Sequence, residues 1–152
     1  MSDPSPQSNW YQDLNLEQKS SWYSQIADAY DRTRPPYPQQ LIDRTVELAQ
    51  LSNNAKILEI GCSTGTATTS FADFGFSMVC LEPNTAACEI ARRNCDRYEK
   101  VRIVNTTFEE WELAANQFDA VLAATSFHWI SPEIRYTKTA RALKADGFLI
   151  LL

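Results

Sequence analysis

A chain of 152 residues, 44% hydrophobic and 22% charged, has the size and balance of one globular domain with its own core, which excludes disorder along its whole length. A net charge of −5 and a pI near 4.9 argue against nucleic-acid binding driven by phosphate contacts. Four cysteines with no C-x-x-C pair, beside a single histidine, argue against a zinc site.

Residues 1–12 are polar and proline-bearing, without the basic and apolar parts of a secretory signal, and are expected to form a disordered tail ahead of a domain over residues 13–152. Apolar residues at Trp22, Tyr23, Ile26 and Ala29 or Tyr30 predict an amphipathic helix over residues 14–30, stopped by the prolines of "DRTRPPYP". A second helix is expected over residues 39–51, with Leu41, Ile42, Thr45, Val46, Leu48 and Ala49 on its buried side.

A strand–helix rhythm follows. "KILEI" is a strand, residues 64–74 a helix and "SMVCL" a second strand. Residues 84–96 form a helix capped by Asn84 or Thr85, its basic stretch "ARRNCDR" reading as a solvated face. "VRIVN" is a third strand, "FEEWEL" a short helical segment and "FDAVLAA" a fourth strand. Ser131 is expected to cap a helix over residues 131–143, with Pro132 and Glu133 in its first turn. Residues 147–152 form a fifth strand. Continuously apolar strands alternating with helices mean a doubly wound α/β domain, its parallel sheet covered on both faces. The chain ends within the run "LILL". Either that strand lies buried inside the sheet, or, as expected here, further strands complete it. No apolar run approaches the roughly 20 residues of a spanning helix, and scattered cysteines suit the reducing cytoplasm.

The loop after the first strand carries the chemistry. "GCSTG", from Gly61 to Gly65, has the letters of the G-x-S-x-G nucleophile elbow. The only histidine, His128, has no convincing acid before it, and no H-G-G-G segment supplies an oxyanion hole. The same position suits a nucleotide loop, in which small residues let the backbone approach a ligand and the following helix offers free amides. Glu82 follows the second strand, placed either to bind ribose hydroxyls in the same crevice or as a solvated acid near a helix start. The spacing is not the G-x-G-x-x-G of dinucleotide sites, so a nicotinamide-dependent oxidoreductase fits less well. Glu59, just before the loop, would repel a pyrophosphate and suits a ligand bearing an ammonium group.

With these pieces in order, "ILEIGCSTGTAT" resembles the first motif of class I S-adenosylmethionine-dependent methyltransferases. "LEPN", "FDAVLAATSFHWI" and "RALKADGFLIL" are similar to later motifs of that family. "AYDRTRPPYP" and "FHWI" resemble a subgroup that methylates small molecules, including trans-aconitate methyltransferase-like proteins. The resemblance implies a Rossmann-like sheet whose five strands here run 3-2-1-4-5, with two helices before it and the family's last two strands lacking. It implies S-adenosyl-L-methionine as cofactor and a small-molecule acceptor as partner. Residue by residue, it implies that Glu59 orients the loop and the methionine ammonium, that Gly61 and Gly65 admit the methionine part, and that Glu82, followed by Pro83, binds the ribose. Ser63 replaces the family's middle glycine. Thr107 stands where an acid usually reads adenine, with the Phe108 amide beside it. Ala124 and Thr125 would face the methionine amine, and Tyr30 and Arg34 either close over the cofactor or simply pack. His128 is a base, a binder of an acidic acceptor, or a ring packed on Trp129. The alternative to an enzyme is a catalytically silent Rossmann-like binding or interaction module.

Overall fold

The structure, a computed structural model, describes residues 14–152, so the tail expected over residues 1–12 lies outside it. Helix α1 (Leu16–Thr33) starts at a capping box, in which the Asn15 side chain accepts from the Gln18 amide and the Gln18 side chain from the Asn15 amide. It runs past Tyr30 to end at Arg34, because Pro35 forces its predecessor into an extended conformation. Tyr23, Ile26, Ala27 and Tyr30 form its inner side, whereas Trp22 and Ala29 are exposed. Helix α2 (Gln39–Leu48) ends three residues before the expected boundary and buries Ile42, with Ala49 buried at its cap, whereas Leu41 and Leu48, expected on the buried side, are exposed.

The sheet follows as β1 (Lys56–Ile60), β2 (Ser77–Leu81), β3 (Val101–Val104), β4 (Phe118–Ala123) and β5 (Leu143–Leu151). All its pairs are parallel, in the order β3-β2-β1-β4-β5, which is the expected Rossmann-like arrangement. Helices α3 (Thr66–Ala72) and α4 (Thr85–Asn94) are the crossovers of the first half and α5 (Arg135–Ala142) leads into β5. Successive residues of β1 point to opposite faces. Ile57 joins Met78, Phe71 and Ile42 in one core, and Leu58 joins Leu81, Val121 and Ala142 in the other. The strands' carboxyl ends, with the loops after β1, β2 and β4, therefore share one edge.

Three local expectations are corrected. "FEEWEL" forms a turn rather than a helix, since Lys138 of α5 takes the carbonyls of Phe108 (2.5 Å), Glu109 (3.1 Å) and Trp111 (2.7 Å). Ser131 caps no helix. Its hydroxyl bonds the Glu133 carboxylate and its amide donates to Glu109 Oε1, so α5 begins only at Arg135. No loop separates α5 from β5: Leu143 pairs with Phe118, Phe148 pairs with Ala120, and the residues between them bulge. Lys144 ties that bulge to Asp119 at 3.0 Å. A 3₁₀ turn, Phe127–Trp129, follows β4.

Candidate functional site

The loop after β1 turns through three left-handed residues, Gly61 (φ 69°), Ser63 (φ 54°) and Gly65 (φ 89°). Gly61 is doubly required, because a Cβ there would stand 2.7 Å from Ser126 Cβ. Ser126, in the segment after β4, donates to the Ile60 carbonyl at 2.5 Å and so locks the ends of β1 and β4 together. The amides of Gly61 and Cys62 both reach the Leu81 carbonyl of β2, at 2.8 and 3.0 Å. Ser63 is not glycine, and the left-handed region costs an L-residue on the order of 1 kcal/mol.

Two acids frame the loop. Glu82, 7% exposed at the end of β2, accepts from the Ser63 amide on Oε2 and from the Asn84 amide on Oε1, each at 2.9 Å. Burial raises its pKa, and those two amides oppose the rise. Glu59 is 1% exposed beneath the loop and accepts from Thr68 of α3 at 2.5 Å. Burial pushes its carboxyl up to about 7 against the pull of the Thr68 and Cys80 hydrogen bonds. Glu59 is thus buried beneath the loop and is tied to α3 through Thr68.

Helix α1 crosses this edge. The Tyr23 hydroxyl bonds Ser63 Oγ. Ser24 Oγ accepts from Asn84 Nδ2 at 2.7 Å, and Asn94 Nδ2 of α4 donates both to Asp31 and to the Thr64 carbonyl at 2.9 Å. Arg34 donates to Thr125 Oγ1 at 3.0 Å and to the Tyr37 hydroxyl at 3.2 Å, with its guanidinium 5.1 Å from the centre of the Tyr30 ring. Lys19 lies over the Trp129 ring.

Of the residues expected at a site, Tyr30, Arg34, Glu59, Gly61, Ser63, Gly65, Glu82 and Thr125 come together here. Ala124 is half-buried just before Thr125, which is left-handed at φ 55°. Pro83 is exposed, and its carbonyl accepts from Asn105. The Thr107 hydroxyl accepts from the Glu110 amide within its own turn, and Phe108 is buried under Lys138. His128 is exposed, its ring 4.9 Å from that of Trp129, with no hydrogen bond to the ring among the described residues. Sequence reasoning missed Tyr23, Ser24, Asp31, Asn94 and Ser126 as builders of the edge. Polar residues within α1 were the one hint of Tyr23, Ser24 and Asp31, and no spacing pointed to Asn94 or Ser126. Among the described residues no three His, Cys, Asp or Glu side chains are grouped to hold a metal, and no helix is long and apolar enough to cross a membrane.

A family described as a methyltransferase domain matches residues 57–147. An uncharacterised methyltransferase of Mycobacterium tuberculosis is 31% identical over 130 residues, covering 86% of this chain and 51% of its own length. The chain spans about half the length of the curated relatives it matches. Among solved structures, an S-adenosylmethionine-dependent methyltransferase from Aquifex aeolicus superposes with a TM-score of 0.69 at 14% identity, covering 82% of this chain and 71% of that one. A coclaurine N-methyltransferase bound to N-methylheliamine and S-adenosylhomocysteine does so at 0.64 and 17% identity, covering 91% and 37%. At such identities the superpositions speak to the fold alone.

Proposed function

The chain belongs to the methyltransferase domain family, and on that premise we propose that it supplies the cofactor-binding part of an S-adenosylmethionine-dependent enzyme that methylates a small-molecule acceptor. The observation that carries this reading is Glu82, a buried acid at the end of β2 whose carboxylate is bonded to the amide of the glycine-rich loop. The residues present fit the cofactor. A carboxylate accepts about four hydrogen bonds, and the two amides on Glu82 leave room for the two hydroxyls of a ribose. Gly61 and Gly65 keep the loop free of side chains where the methionine part would pass.

When bound, S-adenosylmethionine supplies an electrophilic methyl on a sulfonium, whose departure leaves a neutral thioether. The chain's residues then have to orient and exclude water. Glu82 holds the ribose, with Pro83 turning the backbone behind it. Tyr30 and Arg34 close over the crevice against Thr125, with the Ala124 carbonyl beside them. The Phe108 amide and Thr107 border the adenine, although the Thr107 hydroxyl is already engaged by Glu110. Glu59 keeps α3 and the loop in place through Thr68. His128, exposed on its 3₁₀ turn, serves as a base or as a contact for an acidic acceptor. A carboxylate acceptor, already a nucleophile, needs no base. All four cysteines are free and buried, which suits the cytoplasm.

Calorimetric titration with S-adenosylhomocysteine tests the reading. Glu82→Ala removes a charged hydrogen-bond acceptor and is expected to weaken binding by about 1.5–3 kcal/mol. Unchanged affinity would overturn the assignment. A second reading is a catalytically silent Rossmann-like interaction module, for which Phe148 and Leu151, 41% and 53% exposed on β5, would be part of the contact surface. A discrete oligomer by size exclusion with light scattering, in a chain indifferent to the cofactor, would support it instead.

A further inference from the structure

Position 63 is a place where glycine is free of strain and serine is not. Its backbone is left-handed at φ 54°, between two glycines that share that handedness. At this position the serine side chain makes a contact that glycine could not. Here the contact is the Tyr23 hydroxyl, delivered by α1 from 40 residues earlier in the chain. The same serine donates its amide to Glu82 Oε2. A phenol, a serine hydroxyl and a carboxylate are thus linked in series at the carboxyl end of the sheet, Tyr23 and Ser63 half-buried and Glu82 buried. The nearby Glu82 charge also adds to the rise in the Tyr23 pKa that burial causes.

The hydrogen-bond inventory of this cluster is specific. Glu82 only accepts, and two of its sites are used by the Ser63 and Asn84 amides. Tyr23 and Ser63 share one bond, so the pair keeps one free hydroxyl hydrogen as well as free lone pairs. A ligand satisfying all of this must both donate and accept at adjacent atoms. Two neighbouring sugar hydroxyls do so, whereas a phosphate at either position would meet the Glu82 charge. We infer that Tyr23 and Ser63 are cofactor-positioning residues which, together with Glu82, read an unphosphorylated ribose diol, Glu82 accepting from the hydroxyls and the Tyr23–Ser63 pair donating to one of them. This rests on the proposed S-adenosylmethionine reading and adds α1 to the ribose subsite. It also gives Ser63 a function in place of the glycine.

The test is calorimetric titration of the whole chain with S-adenosylhomocysteine and with its 2′-deoxy and 3′-deoxy analogues. The wild-type chain is expected to prefer the ribose form over both. Tyr23→Phe should weaken S-adenosylhomocysteine about two- to tenfold and leave the affinity for one deoxy analogue unchanged, so that discrimination at that hydroxyl shrinks. Ser63→Gly should give the same pattern and keep its fold, because glycine suits the turn. Combining the two should add no further loss. If Tyr23→Phe fails to fold by circular dichroism, Ser63→Gly decides alone. An equal loss for all three ligands, or no loss, would overturn the inference. If Glu82→Gln weakens S-adenosylhomocysteine while Tyr23→Phe keeps full discrimination, only the inference falls. If the wild-type chain binds none of the three at millimolar concentration, the cofactor reading falls with it.

Discussion

Glu59 is a carboxyl held out of water, and its protonation is part of the stability of the loop above it. In the unfolded chain it titrates in the ordinary carboxylate range, and in the fold only at about 7. Between those values the folded state binds more protons than the unfolded state, so stability falls as pH rises and levels off above the folded value. The contribution at stake is up to about 3 kcal/mol. Urea denaturation is therefore expected to show the wild-type chain losing stability from pH 5 to pH 8, with Glu59→Gln losing distinctly less. Parallel pH dependence in the two proteins would remove Glu59 as the source. The letter E before the glycine loop was legible in the sequence, and its depth beneath Thr68 was not. Burial of that residue depends on α3 closing over β1, which no spacing along the chain encodes.

At the scale of elements, Lys138 shows how α5 organises a segment that has no regular structure of its own. Its ammonium gathers three carbonyls of residues 108–111, and burial lowers its pKa from the usual lysine range. Lys138→Met keeps the stem and leaves those carbonyls without their donor, which should cost about 1–3 kcal/mol in urea denaturation. The Trp111 amide, bonded to the Thr107 carbonyl, should also exchange faster with solvent. Unchanged exchange would mean that the turn holds itself. This is also where pattern reading reached its limit. The five strands were legible because parallel strands buried on both faces are continuously apolar, as in "KILEI" and "SMVCL". "FEEWEL" had the composition of a helix, but the partners of its carbonyls come from α5. Ser131 had the look of a cap, but a glutamate on each side engaged it first. The Gly61, Ser63, Gly65 and Glu82 cluster was legible because its parts lie at adjacent strand ends. The contribution of α1 was not, because side chains spread over about three turns of one helix and its cap reach three different loops.

At the scale of the molecule, the sheet is asymmetric. The strand β5 lies at its margin with Phe148 and Leu151 exposed, and among the described residues no strand pairs with its outer side. An apolar open edge is a template for pairing with another chain. Sedimentation velocity over a concentration series should show self-association of the wild-type chain, and Leu151→Lys should suppress it. A monomer at every concentration would mean that the outer side of β5 drives no association. The other margin of the design is α1, whose partners Ser63, Asn84, Asn94 and Thr125 come 40, 60, 63 and 91 residues after the groups they bond. During synthesis α1 is made before any of these partners, and the last of them, Thr125, follows Arg34 by 91 residues. Its capping box needs only Asn15 and Gln18, so it has a local means of keeping its shape during that wait.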